Sequence, residues 1–296
     1  MRLGILIGLL LATASFERDA YAETLSLERA DGSRIVYHLA GPPRRGRAPI
    51  LIMFQGSGCD SVARNDRIPW MAARLAPNHV VLTVEKYGVA AGADGESCVA
   101  DYWRGNSLSQ RVTDAAHVIA QLRQARWWNG QLVIFGGSEG GAVAAMLAPL
   151  IPETRAVIVW SSGIGLPIGT MIRSALPPQM QAEADRVFLD ARANPAADRQ
   201  WGGASYRWWA DALDMVPARS LAQTRVPVLL VHGTRDQSAP IASARAARDL
   251  VVGAGKANFT FREYEGYDHF MIDAEGVDHR VEVLAAIATW LRHLPR

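Results

Sequence analysis

Short apolar runs recur along the chain, and segments with apolar residues at every third or fourth position lie between them. Residues 50–54, 79–84, 132–135, 156–159, 226–231 and 259–264 read as strands, the run at 226–231 without a single charge. Between them, residues 107–122 place Leu108, Val112, Ala115, Ala116, Ile119 and Leu122 on one helical face, and residues 239–252 and 277–294 read as further helices, the last amphipathic. This alternation predicts an α/β fold with a mostly parallel central sheet and helices on both faces. Ahead of it, residues 24–39 read as a hairpin turning at Asp31-Gly32, a dipeptide that tolerates positive φ, and residues 42–47 as a surface loop.

The chemistry concentrates where the strand at 132–135 runs into Gly136-Gly137-Ser138-Glu139-Gly140-Gly141 and then the small-residue helical segment 142–147. Gly-x-Ser-x-Gly between strand and helix is the pattern of a sharp turn that lifts a serine hydroxyl above the carboxyl edge of a sheet, so Ser138 is the candidate nucleophile. The turn demands glycine at 136 and 140, where a Cβ would collide. A phosphate-binding loop fits poorly: no Lys-Ser/Thr pair follows, and the glycines lack Gly-x-Gly-x-x-Gly spacing.

Two downstream loops supply partners. The strand at 226–231 ends in His232-Gly233-Thr234-Arg235-Asp236, and the strand at 259–264 leads to Gly266-Tyr267-Asp268-His269-Phe270. Asp236 is the candidate acid and His269 the candidate base. Asp268 and Asp273 lie nearer the histidine in sequence, but adjacent loop residues point apart, which disfavours Asp268. Other histidines have structural readings: His232 is buried by its strand-end position, His38 and His79 lie at strand edges, and His279 and His293 sit on the surface of the last helix. Asp114 and His117 share one helix face and read as a surface pair.

In this order and with these motifs (GGSEG, VHGTRD, GYDHF), the chain from about residue 50 onward resembles the α/β-hydrolase family, most of all its dienelactone-hydrolase-like and prolyl-peptidase-like serine hydrolases. The resemblance implies that Ser138 attacks, His269 takes its proton and Asp236 orients the imidazole. It also implies an oxyanion hole from two backbone N–H groups, that of Glu139 and one from the loop after the strand at 50–54. That loop usually begins His-Gly; here Gln55-Gly56 stands instead, and the Ser57 N–H is the first choice of donor, Gly56 the second. In the family, an insertion after the strand at 156–159 commonly forms a cap. Residues 165–225, with helical pieces near 178–191 and 205–213 and the aromatics Trp201, Tyr206, Trp208 and Trp209, have the length for one. The tryptophans read first as packing between cap and core.

The first 22 residues change the picture of where this works. Arg2, an apolar run at 3–14 and Ala20-Tyr21-Ala22 read as a signal peptide cleaved after Ala22; the run is too short for a comfortable membrane span. A periplasmic or secreted protein follows, with residues 23–296 as a single domain. In an oxidising compartment the only two cysteines, Cys59 and Cys98, favour a disulfide, worth about 4 kcal/mol on the chain-entropy model. Without a Cys-x-x-Cys or adjacent histidines they make a poor metal site, and no metal or organic cofactor is implied. A net charge of +2, without any basic stripe, speaks against nucleic acid as a partner, and no stable membrane anchor is expected. The expected partner is a small-molecule or peptide substrate with a carbonyl: a carboxylic ester first, an amide or peptide second, a thioester third. A catalytically silent binding protein of the same fold is the competing class.

Overall fold

The structure is a computed structural model and describes residues 23–41 and 46–295; the expected signal peptide lies outside the described residues. The elements run β1 (Glu23–Glu28), β2 (Arg34–Ala40), β3 (Ala48–Phe54), α1 (Arg67–Leu75), β4 (Val80–Val84), α2 (Ala100–Gly105), α3 (Leu108–Leu122), β5 (Trp128–Gly137), α4 (Glu139–Leu147) and β6 (Thr154–Trp160). There follow α5 (Ile168–Ala175), α6 (Pro178–Ala193), the two-residue strands β7 (Gln200–Trp201) and β8 (Ala204–Ser205), α7 (Tyr206–Ala212) and α8 (Ala218–Leu221). The chain closes with β9 (Val228–Gly233), α9 (Ile241–Gly253), β10 (Phe259–Tyr264) and α10 (Arg280–Arg292).

Eight strands form one sheet in the order β1-β2-β4-β3-β5-β6-β9-β10. The hairpin β1–β2 is antiparallel, β2 runs antiparallel to β4, and every pair from β4 to β10 is parallel. Parallel strands with both faces covered carry near-continuous apolar sequence, and side-chain alternation divides each run between two cores. Ile50, Ile52, Leu132, Ile134, Val157 and Val159 enter one core with α3, α4 and α9; Leu51, Met53, Val133, Phe135, Ile158 and Trp160 enter the other with α1 and α10. The mostly parallel sheet with helices on both faces is the α/β architecture that the apolar runs imply. Phe188, Trp208, Trp209 and Leu213 from the segment between β6 and β9 join the first core, so that segment packs on the α3–α4 side.

Several details differ from the sequence reading. Helices α1 and α2 have no counterpart among the expected elements, although the apolar spacing of Ile68, Ala72 and Leu75 in α1 is helical. Nine-residue α1 carries Pro69 in its first turn, where a missing N–H has no intrahelical partner to lose, yet it buries Ile68, Ala72 and Leu75. The last helix starts at Arg280, not at 277; the chain before it turns at residues 274–275 and pairs Ile272 with Asp278 in an isolated antiparallel bridge. His279 therefore precedes the helix, hydrogen-bonds Asp273 at 2.8 Å and stacks on Tyr267 at 4.3 Å between ring centres. His38 is wholly buried inside β2, and its Nε2 meets the Glu85 carboxylate at 2.9 Å.

Asp114 and His117 are not a surface pair. Asp114 is buried and accepts Arg29 Nε at 2.9 Å and Nη2 at 2.8 Å, while His117 is exposed. The same guanidinium donates to the Arg34 carbonyl at 2.5 Å and lies 4.4 Å from the centre of the Tyr87 ring, so it ties the β1–β2 hairpin to α3. Among the described residues no helix is long and apolar enough to cross a membrane.

Removing one partner from this bidentate pair strands a buried charge. Asp114→Ala is expected to cost about 3 kcal/mol in urea unfolding, whereas His117→Ala should stay within about 0.5 kcal/mol.

Candidate active site

Ser138 is the residue between β5 and α4, held at φ 54° and ψ −126°. A non-glycine residue there is strained, and the surroundings maintain it: the Ser138 N–H donates to Trp160 O at 2.9 Å and its carbonyl accepts from Gly141 N–H at 2.9 Å. The close packing behind the turn needs glycine. A Cβ on Gly136 would stand 2.1 Å from Gly140 O, and one on Gly140 would stand 2.3 Å from Phe54 O at the end of β3. The turn is thus wedged between two neighbouring strand ends, with its serine on the upper edge.

His269 and Asp236 meet across loops after β10 and β9. His269 Nδ1 lies 2.8 Å from Asp236 Oδ2. The loops are joined at several points: Arg235 N–H donates to Tyr267 O at 2.9 Å, Gly266 N–H donates to Thr234 Oγ1 at 2.9 Å, and a Cβ on Gly233 would meet Tyr267 O at 2.2 Å. Asp268 is occupied locally, its Oδ1 accepting the N–H groups of Phe270 at 2.8 Å and Ile272 at 2.9 Å, so it shapes the turn that carries the histidine.

The Asp236 carboxylate is fully engaged. Oδ1 accepts the N–H groups of Ser238 at 2.9 Å and Ala239 at 2.8 Å; Oδ2 faces His269 and, at 3.3 Å, His232 Nε2, which also donates to Ala239 O at 2.7 Å. Burial works to raise the acid's pKa, but the hydrogen bonds from His232 and His269, the His269 charge and the Ala239 N–H outweigh it and hold the carboxyl well below the usual range. Because the ionised carboxylate can only accept, His269 Nδ1 carries a hydrogen and its Nε2 is the nitrogen able to exchange a proton. His232 is buried and structural, as its strand-end position implied.

The loop after β3 is braced from below. Gln55 Nε2 donates to Asp60 O at 2.7 Å, Asn65 Nδ2 donates to Gln55 Oε1 at 3.0 Å, and the Lys86 ammonium donates to Gly58 O. Arg111, nearly buried in α3, donates through one nitrogen to Gln55 O at 2.8 Å and through another to Glu139 Oε1 at 2.5 Å. One guanidinium therefore spans from the loop bearing Ser57 to the residue after Ser138. Burial, followed by repulsion from Arg111, lowers the Lys86 pKa to about 8. Cys59 and Cys98 form a disulfide with their Cα atoms 5.5 Å apart, which fixes the same loop to the one before α2.

Of these braces the sequence announces the Cys59–Cys98 disulfide, and Gln55 in place of histidine is a second visible signal; Arg111 and Lys86 look like ordinary solvated charges until the tertiary contacts are known. Gly56 abuts the serine, since a Cβ there would lie 3.2 Å from Ser138 Cβ, and Glu139 heads α4, where helix N–H groups lack intrahelical partners.

Two cavities meet at Ser138 and Ser57. One, of about 250 Å³, lies beneath Trp208, Trp209, Met171 and Ile172; the other, of about 370 Å³, includes His269, Phe135, Trp160 and Phe270. No group of three or more metal-binding side chains occurs among the described residues.

A strained serine in a strand-to-helix turn at the end of a mostly parallel sheet, lining one cavity with a carboxylate-bound histidine, is an arrangement of the α/β-hydrolase class. The serine aminopeptidase S33 family model matches residues 94–275, over half of the chain, and the chain belongs to that family of serine hydrolases. It is 25% identical over 223 residues to the human acylamino-acid-releasing enzyme, covering 74% of this chain but 28% of that enzyme's length. Among solved structures it resembles Est1E from Butyrivibrio proteoclasticus with bound ferulic acid: TM-score 0.67, 17% identity, and coverage of 91% and 98% of the two chains. A puromycin hydrolase gives a TM-score of 0.63 at 20% identity, with 92% of this chain and 38% of that one covered.

A depressed carboxyl contributes stability that is present above its unfolded value, about 3.9, and is lost as pH falls through the folded one. Below about pH 4 the unfolding free energy of the wild type should therefore fall more steeply than that of Asp236→Asn, measured by urea denaturation across the acid range.

Proposed function

We propose that this protein is an exported serine hydrolase that cleaves carboxylic esters through an acyl-enzyme. The observation that carries the proposal is the 2.8 Å contact between His269 Nδ1 and Asp236 Oδ2 beside a strained Ser138. Ser138 Oγ attacks the carbonyl carbon while His269 takes its proton. The bond to the leaving group then breaks, His269 returns the proton to the departing atom, and water deprotonated by His269 releases the acid and restores the serine. Backbone N–H groups of Glu139 and Ser57 are assigned to the carbonyl oxygen as it becomes an anion, each worth about 3 kcal/mol in the transition state.

The ester reading is supported by the likeness to Est1E, whose solved structure holds ferulic acid, a carboxylic acid of the kind that ester cleavage releases. An amide or peptide bond is the second reading, favoured by the serine aminopeptidase family match. The segment at 165–225 is assigned as a cap over the smaller cavity, supported by Trp208 and Trp209 in its lining. Export with cleavage after Ala22 is supported by the Cys59–Cys98 disulfide, a bond that persists in oxidising compartments.

A fluorophosphonate probe should label the wild type and not Ser138→Ala, and the same preparations should hydrolyse p-nitrophenyl esters faster than matching anilides. An unlabelled, folded wild type would make the silent binding protein the better reading. Asp236→Asn should lower kcat by about 10⁴-fold, the scale set by the same change in trypsin, and Asp268→Asn far less; comparable losses would reassign the acid.

A further inference from the structure

The two cavities beside Ser138 are chemically unlike, and His269 lines only the larger one. A general acid must reach the departing atom, so under the acyl-transfer reading above the larger cavity receives the leaving group and the smaller one, beneath the tryptophans, the acyl group. The inner wall of the larger cavity is apolar, built from Met53, Phe135 and Trp160, all buried. Its rim is cationic and aromatic: Arg67, Trp70, Phe270 and Arg280.

The rim cations are not equivalent. Arg280 is paired with Asp278, its Nε 2.9 and 3.0 Å from the two carboxylate oxygens. Arg67, the first residue of α1, has no carboxylate partner among the described residues; its guanidinium lies 5.7 Å from the centre of the Phe270 ring. Phe270 is 49% exposed, an apolar face left open next to the proton-transferring histidine. The one carboxylate in the lining, Asp60, lies near the buried Lys86 ammonium, which offsets it. An apolar pocket that ends in an aromatic-seated, unpaired guanidinium suits a molecule with an apolar body and an anionic end, because the planar fork of arginine matches a carboxylate through two hydrogen bonds.

We propose that the leaving group carries a terminal carboxylate on an apolar body, as an aryl-alkanoic acid or an apolar C-terminal amino acid does, and that Arg67 selects for it. The carboxylate stays remote from the bond that breaks and takes no part in proton transfer. Arg67 touches only this end of the substrate, so it determines specificity and does not act on the reacting atoms.

The test uses two acetate esters with near-identical leaving groups, one of 4-hydroxyphenylacetate and one of 4-hydroxyphenylacetamide, in which a methylene insulates the phenol from the group that differs. Wild-type kcat/KM should favour the anionic ester by about tenfold, the scale of one charge-assisted hydrogen bond. Arg67→Ala should erase that preference by bringing kcat/KM of the anionic ester down to that of the neutral one, chiefly through KM; Arg67→Lys should keep part of it. Equal turnover of the two esters by the wild type, or a loss shared by both in Arg67→Ala, overturns this assignment alone. Turnover of neither overturns it together with the esterase reading on which it rests.

Discussion

Everything at the site depends on how closely the start of α4 approaches the end of β3. Gly140 lies so near Phe54 O that a single added carbon would stand 2.3 Å from it. That approach sets the serine turn and the β3 loop side by side, and it leaves Ser138 strained at φ 54°. Strain of about 1–3 kcal/mol at one residue persists only where the surroundings over-determine the backbone. Here two parallel strand neighbours, two backbone hydrogen bonds and the glycines on either side do so.

Buried cations hold the loop beside that approach: Arg111 donates to Gln55 O and Lys86 to Gly58 O, while Glu139 balances the Arg111 charge. Buried charges are costly unless paired and hydrogen-bonded, so these residues hold one arrangement of the loop at the expense of others. The disulfide adds a covalent tie at Cys59, and the Gln55 amide closes the loop on itself. On the opposite side, Asp236 accepts four hydrogen-bonding groups and presents one fixed oxygen to His269. Rigid supports on both sides of a strained serine are what preorganisation of a reacting centre requires.

Much of this was legible along the chain because it is local. Apolar runs marked every strand from β3 to β10 in the large sheet to within a few residues, since a parallel strand buried on both faces has little choice of side chain. The hairpin turn at Gly32, with φ 81°, follows from its Asp-Gly pair. The short helices α1 and α2 are harder to read because each has at most nine residues, too few for a long periodic signal, and α1 carries Pro69 in its first turn. The buried role of Asp114 escaped for a related reason: an aspartate on a helix looks solvated until its partner, 85 positions away, is known.

By itself the sequence determined which turn carries the serine, where the loops bearing Asp236 and His269 fall, and that the turn needs glycine at 136, where an added Cβ would meet Gly140 O only four residues on. Tertiary structure alone decided that Asp114 is buried against Arg29, that Arg111 joins both sides of the serine, and that the two cavities differ in charge. These contacts join segments far apart in the chain, and their energies depend on distance and burial, which exist only once the sheet and its helices have packed.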